Sequence, residues 1–401
     1  MSRHSQELII GQIVGQIAML GAIPFLTRLV PPDEMGIYQA GFSIALIIQP
    51  LATLRRELLI PVSNILDSRK QRSSAIRFSL ICSAILLALS IIAIYIEAPR
   101  LGETLAAAAL VLASIAMLTI ENAYLIRVGQ LRRLAMRNLL AGALTAAIQV
   151  AVAAVLPSAL GIAAAMLLGR FVATALTRAP RIQFQDERAG GERNQQRTAS
   201  AILSATVASA STQAVIIGSF WTLGPGASAQ IAIGQRIAGA PATLLGQALS
   251  QIALGAAAPL IRHRRSGLVS LLRTQVVKTS IGAAIASVAL ITCAPLLAEP
   301  VLGPGWQRAG DLTAIFAIPL SVQIVALPAT TLMIPLGYER QLLGLQICRL
   351  VAILTALSAS SALTGDLVIT CVVTSATWTL AYVPIMAAAF TAARKHDRTC
   401  S

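Results

Sequence analysis

Apolar runs of bilayer-spanning length recur from end to end of this 401-residue chain, and that repetition is the strongest constraint on its fold. A helix needs roughly 20 apolar residues to cross the hydrocarbon core. Charged residues make up 12% of the chain, against about 25% in a soluble domain. The alternating short segments of an outer-membrane barrel are missing. The sequence therefore reads as an all-α polytopic membrane protein.

Charged and Pro/Gly breaks define twelve candidate spans, at 8–29, 36–60, 77–97, 104–126, 138–156, 159–178, 200–223, 228–258, 279–298, 311–335, 341–363 and 367–391. The opening MSRHSQELIIGQIVGQIAML reads as a polar tail running into the first span, without the pattern of a signal peptide. Arginine and lysine set the expected orientation. One side receives Arg3, the loops 69–77, 127–137, 178–197 and 262–278, Arg340, Arg349 and the tail Arg394, Lys395 and Arg398. The other receives Arg28, Arg100 and Arg308. Both termini are thus expected in the cytoplasm, and the net charge of +15 reads as positive-inside bias, with no nucleic-acid partner.

The hydrophilic segment 178–198 falls midway. It predicts a bundle of six helices over 1–178, a cytoplasmic linker at 179–199, and a second bundle with a short tail over 200–401. An offset of 193 residues lays TRLVPPDEMGIYQAGFSI, from Thr27, on FWTLGPGASAQIAIGQRI, from Phe220; Pro32 meets Pro225 and Gly36 meets Ala229. Each half then begins with a span, a Pro/Gly turn and a long second span. Two such bundles around a central cavity is a recurring transporter plan.

Charges inside spans are costly and mark cavities or partners. In LATLRRELLIPV, Arg55, Arg56 and Glu57 lie toward the cytoplasmic part of the second run. Glu57 neutralises one arginine, and two readings fit the other: it snorkels to the interface, or it meets an anion. Arg236, in AIGQRIAGAPATLLGQALSQ, shares a helical face with Thr243, Gln247 and Ser250, with Gln251 a little further round. Helix packing accounts for the glutamines but not for the arginine. Glu121 is the internal carboxylate without an adjacent arginine, which makes it the candidate for a coupling ion. The five cysteines form no CxxC pair, and the three histidines sit in polar segments, so neither a metal, a cofactor nor a catalytic site is expected.

The first sixty residues, through Arg28, Pro32, Gly36, Tyr38, Arg55 and Glu57, resemble the N-terminus of bacterial polysaccharide-biosynthesis flippases, with Arg56 in place of the usual aromatic. These O-antigen and exopolysaccharide translocases belong to the multidrug/oligosaccharidyl-lipid/polysaccharide exporter superfamily. Residues 223–257 and 301–341, through Gly303, Trp306, Gly310, Pro328 and Gly337, are similar to the same family. The resemblance implies a V-shaped, MATE-like pair of six-helix bundles in the bacterial inner membrane, working by alternating access. The implied cargo is an undecaprenyl-diphosphate-linked oligosaccharide for surface polysaccharide such as lipopolysaccharide. Arg28, Arg55 or Arg56, and Arg236 would bind its diphosphate, with Gln247 and Gln251 lining the cavity and Glu121 or Glu57 taking a coupling proton or sodium ion. Membrane lipids and a polysaccharide polymerase are the partners it implies. A multidrug or cation antiporter is the alternative, and a membrane polymerase or ligase a third; 4% aromatic content and a cationic interior speak against the drug.

Overall fold

The structure is a computed structural model that describes residues 3–63, 65–178, 196–240, 257, 260 and 265–400, and among them every regular element is a helix. The chain divides into two units, Met1–Ser209 and Ala210–Ser401. The first holds α1 (Arg3–Leu29), α2 (Pro32–Ala52), a single turn α3 (Arg56–Leu59) running into a 3-10 turn (Ile60–Val62), α4 (Ile65–Tyr95), α5 (Pro99–Arg127), α6 (Leu131–Val155) and α7 (Ala159–Leu176). Helix α8 (Gln196–Thr222) carries the boundary between the units. The second unit continues with α9, described over 225–240, α10 (Leu268–Leu302), α11 (Gln307–Met333), α12 (Glu339–Thr364), α13 (Leu367–Leu380) and α14 (Tyr382–Cys400).

Local chemistry accounts for the helix ends. Helix α2 starts with Pro32 in its first turn, beside Asp33 and Glu34, where a missing N–H costs nothing and negative charge suits the dipole. Ser158 caps α7 by accepting from Gly161 N at 3.1 Å, and Asp366 caps α13 by accepting from Ile369 N at 2.9 Å. Asp397, near the end of α14, accepts from the backbone N–H of Gly267, Leu268 and Val269 at 3.0–3.1 Å. A tail carboxylate thereby satisfies the start of α10, a pairing too distant in sequence to be read from local pattern.

Eleven helices among the described residues are long and apolar enough to span a membrane, and the chain is a multi-pass membrane protein. The twelfth expected span, 228–258, is described only to residue 240 before its run leaves the described residues. Three boundaries differ from the sequence reading. The second span, expected to reach residue 60, stops at Ala52. The 69–77 segment, read as a loop, is helical, because α4 begins at Ile65. The last run breaks at Ala381, and its basic tail is helical to Cys400.

Close packing of small residues holds each unit together and follows the internal repeat. A Cβ on Gly41 of α2 would meet the Thr104 carbonyl of α5 at 2.8 Å; its repeat partner Gly234 of α9 lies as tightly on Thr313 N of α11, at 3.0 Å. Gly102 of α5 is pressed on α4, and Gly310 of α11 on α10, at Ser90 and Ala294. The same helix pairings thus recur in both units, as expected where small residues rather than hydrophobicity draw membrane helices together. In the second unit Phe316 and Trp378, with ring centroids 6.4 Å apart, sit at the centre of a core with Ile353, Leu357 and Ile385.

The tightest contact joins α1 to α6. A Cβ on Gly142 would fall on the backbone of Gly15, and one on Gly11 on the carbonyl of Ala135, whereas Gly21 faces open space. Gly142→Val is therefore expected to cost about 2 kcal/mol or more, lowering the detergent melting midpoint by about 5 °C. Gly21→Val should leave the melt unchanged in the same thermal-shift assay.

Candidate functional site

The site is built where α2 ends. Thr53, fully buried, returns its hydroxyl to the Gln49 carbonyl at 3.1 Å. Leu54 and Arg55 follow with φ of 52° each, both in the left-handed region, which β-carbon crowding disfavours for non-glycine residues. The chain then makes α3 and the 3-10 turn before entering α4. This strap is tied down at its far end. Ser68 Oγ donates to the Ile60 carbonyl at 2.9 Å, Ser63 Oγ donates to the Leu59 carbonyl at 2.8 Å, and Arg127 Nε donates to the Ser63 carbonyl. Ile60 is fully buried against Ile65, Ala75, Ile120 and Tyr124.

The strap carries Arg55, Arg56 and Glu57, all half-buried. Arg55 Nη1 lies 3.8 Å from Glu57 Oε1, an ion pair too long for a hydrogen bond. Arg55 Nε and Glu57 Oε2 are buried and have no hydrogen-bond partner among the described residues. An incompletely satisfied charge pair in a membrane protein is expensive and marks a place where another polar group belongs.

The other expected site residues lie elsewhere. Arg28 is exposed in the last turn of α1, next to the start of α2. Since the 21 residues of α2 separate it from Arg55, the two cations stand about 30 Å apart. They cannot grip one diphosphate together. Arg236 is half-buried on α9, about 16 Å along from its first residue at 225, beside the buried Gln235. Gln247 and Gln251 lie outside the described residues.

Glu121 differs most from its sequence reading. It lacks an arginine neighbour in the chain but has two in space. Its Oε1 accepts from Arg72 Nε at 2.6 Å and pairs with Arg72 Nη2, while Oε2 lies 3.9 Å from Arg137 Nη1. Arg72 also stacks 4.8 Å from the Tyr124 ring centroid. Arg137, fully buried, donates from Nε to Thr177 Oγ1 at 2.8 Å and from Nη2 to the Thr177 carbonyl at 2.9 Å, at the end of α7. A carboxylate held by two guanidiniums is a poor host for a sodium ion or a proton. The cluster joins α4, α5, α6 and α7. Arg72 and Arg137, read from sequence as loop residues, were missed; the one signal was that a buried Glu121 requires counterions from somewhere. Arg349, which lies inside the span expected at 341–363, is buried in α12 and donates to Tyr382 Oη at 2.6 Å.

Two units built of close-packed, span-length helices among the described residues define a polytopic membrane protein. Solved structures agree. An outward-facing multidrug resistance MATE family transporter of the MOP superfamily matches with a TM-score of 0.60 and 15% identity over 99% of each chain. An inward-facing conformation of such a transporter matches at 0.58 with 17% identity, covering 100% of this chain and 97% of the other. A MATE protein in its straight conformation matches at 0.61 with 16% identity over 98% and 96%. No curated protein matches the sequence significantly. Residues 25–311 match the family described as polysaccharide biosynthesis protein. The chain belongs to that family.

Breaking the Glu121 cluster from one side leaves an uncompensated buried charge. Glu121→Ala is expected to destabilise by about 3 kcal/mol, read as a lower melting midpoint. The double variant Glu121→Leu/Arg137→Met should recover most of that loss, because both buried charges then leave together.

Proposed function

We propose that the protein is a flippase that carries undecaprenyl-diphosphate-linked oligosaccharide across the bacterial inner membrane by alternating access, with both termini in the cytoplasm. The observation that carries this reading is the strap at the end of α2, where Arg55 and Arg56 stand beside the one carboxylate of Glu57 and the Arg55–Glu57 pair is 3.8 Å apart. A diphosphate offers several anionic oxygens that arginine engages through parallel, charge-assisted hydrogen bonds. Membership of the polysaccharide biosynthesis family supports a glycan-bearing cargo. The fold shared with transporters solved in outward- and inward-facing forms supports alternating access.

Because Arg28 and Arg55 stand at opposite ends of α2, the diphosphate meets them in succession: Arg55 and Arg56 at the cytoplasmic end, Arg28 on the far side. Arg236 is the second unit's proposed contribution, with Gln247 and Gln251 on the same predicted face. Of the two carboxylates read as ion-coupling candidates, Glu57 retains an oxygen with no partner among the described residues, whereas Glu121 is engaged. A multidrug antiporter has support from the solved relatives' fold; a cationic drug is a poor match for this arginine-rich set.

The test is the sidedness of the lipid-linked precursor in a deletion strain, probed with a membrane-impermeant glycan reagent on spheroplasts. Probe-inaccessible precursor should accumulate and be cleared by the wild-type protein. Arg55→Glu and Arg236→Glu proteins, present in the membrane at normal levels, should fail to clear it. Normal outward exposure in the deletion strain, with no redundant transporter, would overturn the assignment, and drug hypersensitivity there would favour the antiporter.

A further inference from the structure

The break after α2 has no glycine or proline at the break itself: Pro50 is accommodated inside α2, and Pro61 lies beyond it in the 3-10 turn. Residues 51–59, LATLRRELL, contain neither glycine nor proline and are mostly strong helix formers. Yet Leu54 and Arg55 are both left-handed. On either side the backbone is already helical: Thr53 has φ −88° and ψ −10°, and α3 ends at Ile60 with φ −51° and ψ −47°. Two residues alone separate the observed break from one helix running from Pro32 to Leu59, close to the 36–60 span that the sequence predicts.

The Arg55–Glu57 ion pair depends on the same break. Residues two apart in an α-helix point to different faces and do not meet. The pair at 3.8 Å therefore exists because Arg55 is left-handed, and a continuous helix would separate it. The far end of the strap is held independently by Ser68 on the Ile60 carbonyl and Arg127 on the Ser63 carbonyl, so the backbone is bent between two fixed points. Local preference and native conformation disagree here, and such disagreements concentrate at switch regions.

We propose that residues 53–55 are a two-state hinge linked to anion binding. While Glu57 holds Arg55, α2 stops at Ala52; when a phosphate takes the place of Glu57, Leu54 and Arg55 revert to right-handed geometry and α2 runs on through Leu59. The hinge rests on the reading of Arg55 as a diphosphate ligand and adds to it a change of helix length driven by the cargo.

Leu51 and Leu58 are both exposed, at 42% and 55%. In a continuous helix they share a face about 10 Å apart. The test uses the full-length protein in nanodiscs, with its native cysteines replaced and the pair Leu51→Cys/Leu58→Cys introduced. A rigid bis-maleimide of that length should close this pair at least about fivefold faster when undecaprenyl diphosphate is added. Leu54→Gly, which removes the penalty of the left-handed state, should hold the acceleration below about twofold, and Leu54→Ala, which keeps that penalty, should preserve it. Native mass spectrometry on the same samples reports lipid binding. Lipid that binds and is lost in Arg55→Gln, with no change in cross-linking rate, overturns the hinge and leaves the flippase reading standing. An equal acceleration in Leu54→Gly also overturns the hinge. Failure of the wild-type protein to bind the lipid overturns both.

Discussion

Everything in this molecule depends on the rule that a backbone N–H or C=O in hydrocarbon must find its partner inside the protein. Long helices meet that demand through their own ladders, which is why the described elements are all helical. The informative places are those where the ladder stops. At the strap, side chains take over: Thr53 on Gln49, Ser63 on Leu59, Ser68 on Ile60 and Arg127 on Ser63. At the start of α10 the Asp397 carboxylate serves three consecutive N–H groups. Irregular backbone is present where protein groups are there to receive it, and both places lie at the ends of spans.

The same cost of leaving water sorts the internal charges into two kinds. Around Glu121 the Arg72 pairing is short, at 2.6 Å, and backed by the Tyr124 face, while Arg137 bonds the end of α7 and leaves Nη1 3.9 Å from the carboxylate without a hydrogen-bond partner among the described residues. Such a cluster ties α4, α5, α6 and α7 together. Around Arg55 the pairing is loose, with a long ion pair and two buried atoms lacking partners among the described residues. Breaking a dense buried cluster costs folding energy. A loose one costs energy in the native state, and that cost is relieved by the group it is shaped to receive. The contrast lies in the closest contact, a 2.6 Å hydrogen bond from Arg72 to Glu121 against a 3.8 Å ion pair between Arg55 and Glu57.

Much of this was legible in the sequence. Run length and the scarcity of charge identify the spans. The charge asymmetry of Arg55, Arg56 and Glu57 singles out the strap. Its conformation was hidden, because LATLRRELL contains no glycine or proline, and the contacts that hold the strap's far end, from Ser68 and Arg127, come from distant parts of the chain. The Glu121 cluster was hidden for a similar reason. Arg72 is 49 positions away from Glu121, and α4 extends as a helix through a stretch whose polarity reads as loop. Arg28 was grouped with Arg55 through the family resemblance, while the charge pattern already set them on opposite sides of the membrane. Helix length separates them.

The internal repeat shows where function was added to architecture. Under the 193-residue offset the close contacts are shared, with Gly41 and Gly234 each pressed on the backbone of its partner helix. The charges are not shared: Arg236 falls on Ser43, and Arg55 falls on Ala248. A glycine contact defines how two helices pack and is tolerated identically in both units. An arginine in a span is costly wherever it stands and persists where it has work that its counterpart position does not share. Arg236 stands within the described part of α9, and Arg55 beyond the end of α2. On the proposed flippase reading, an anionic headgroup that crosses the whole bilayer needs contacts at more than one depth, and within the first unit Arg28 and Arg55, at the two ends of α2, would supply them.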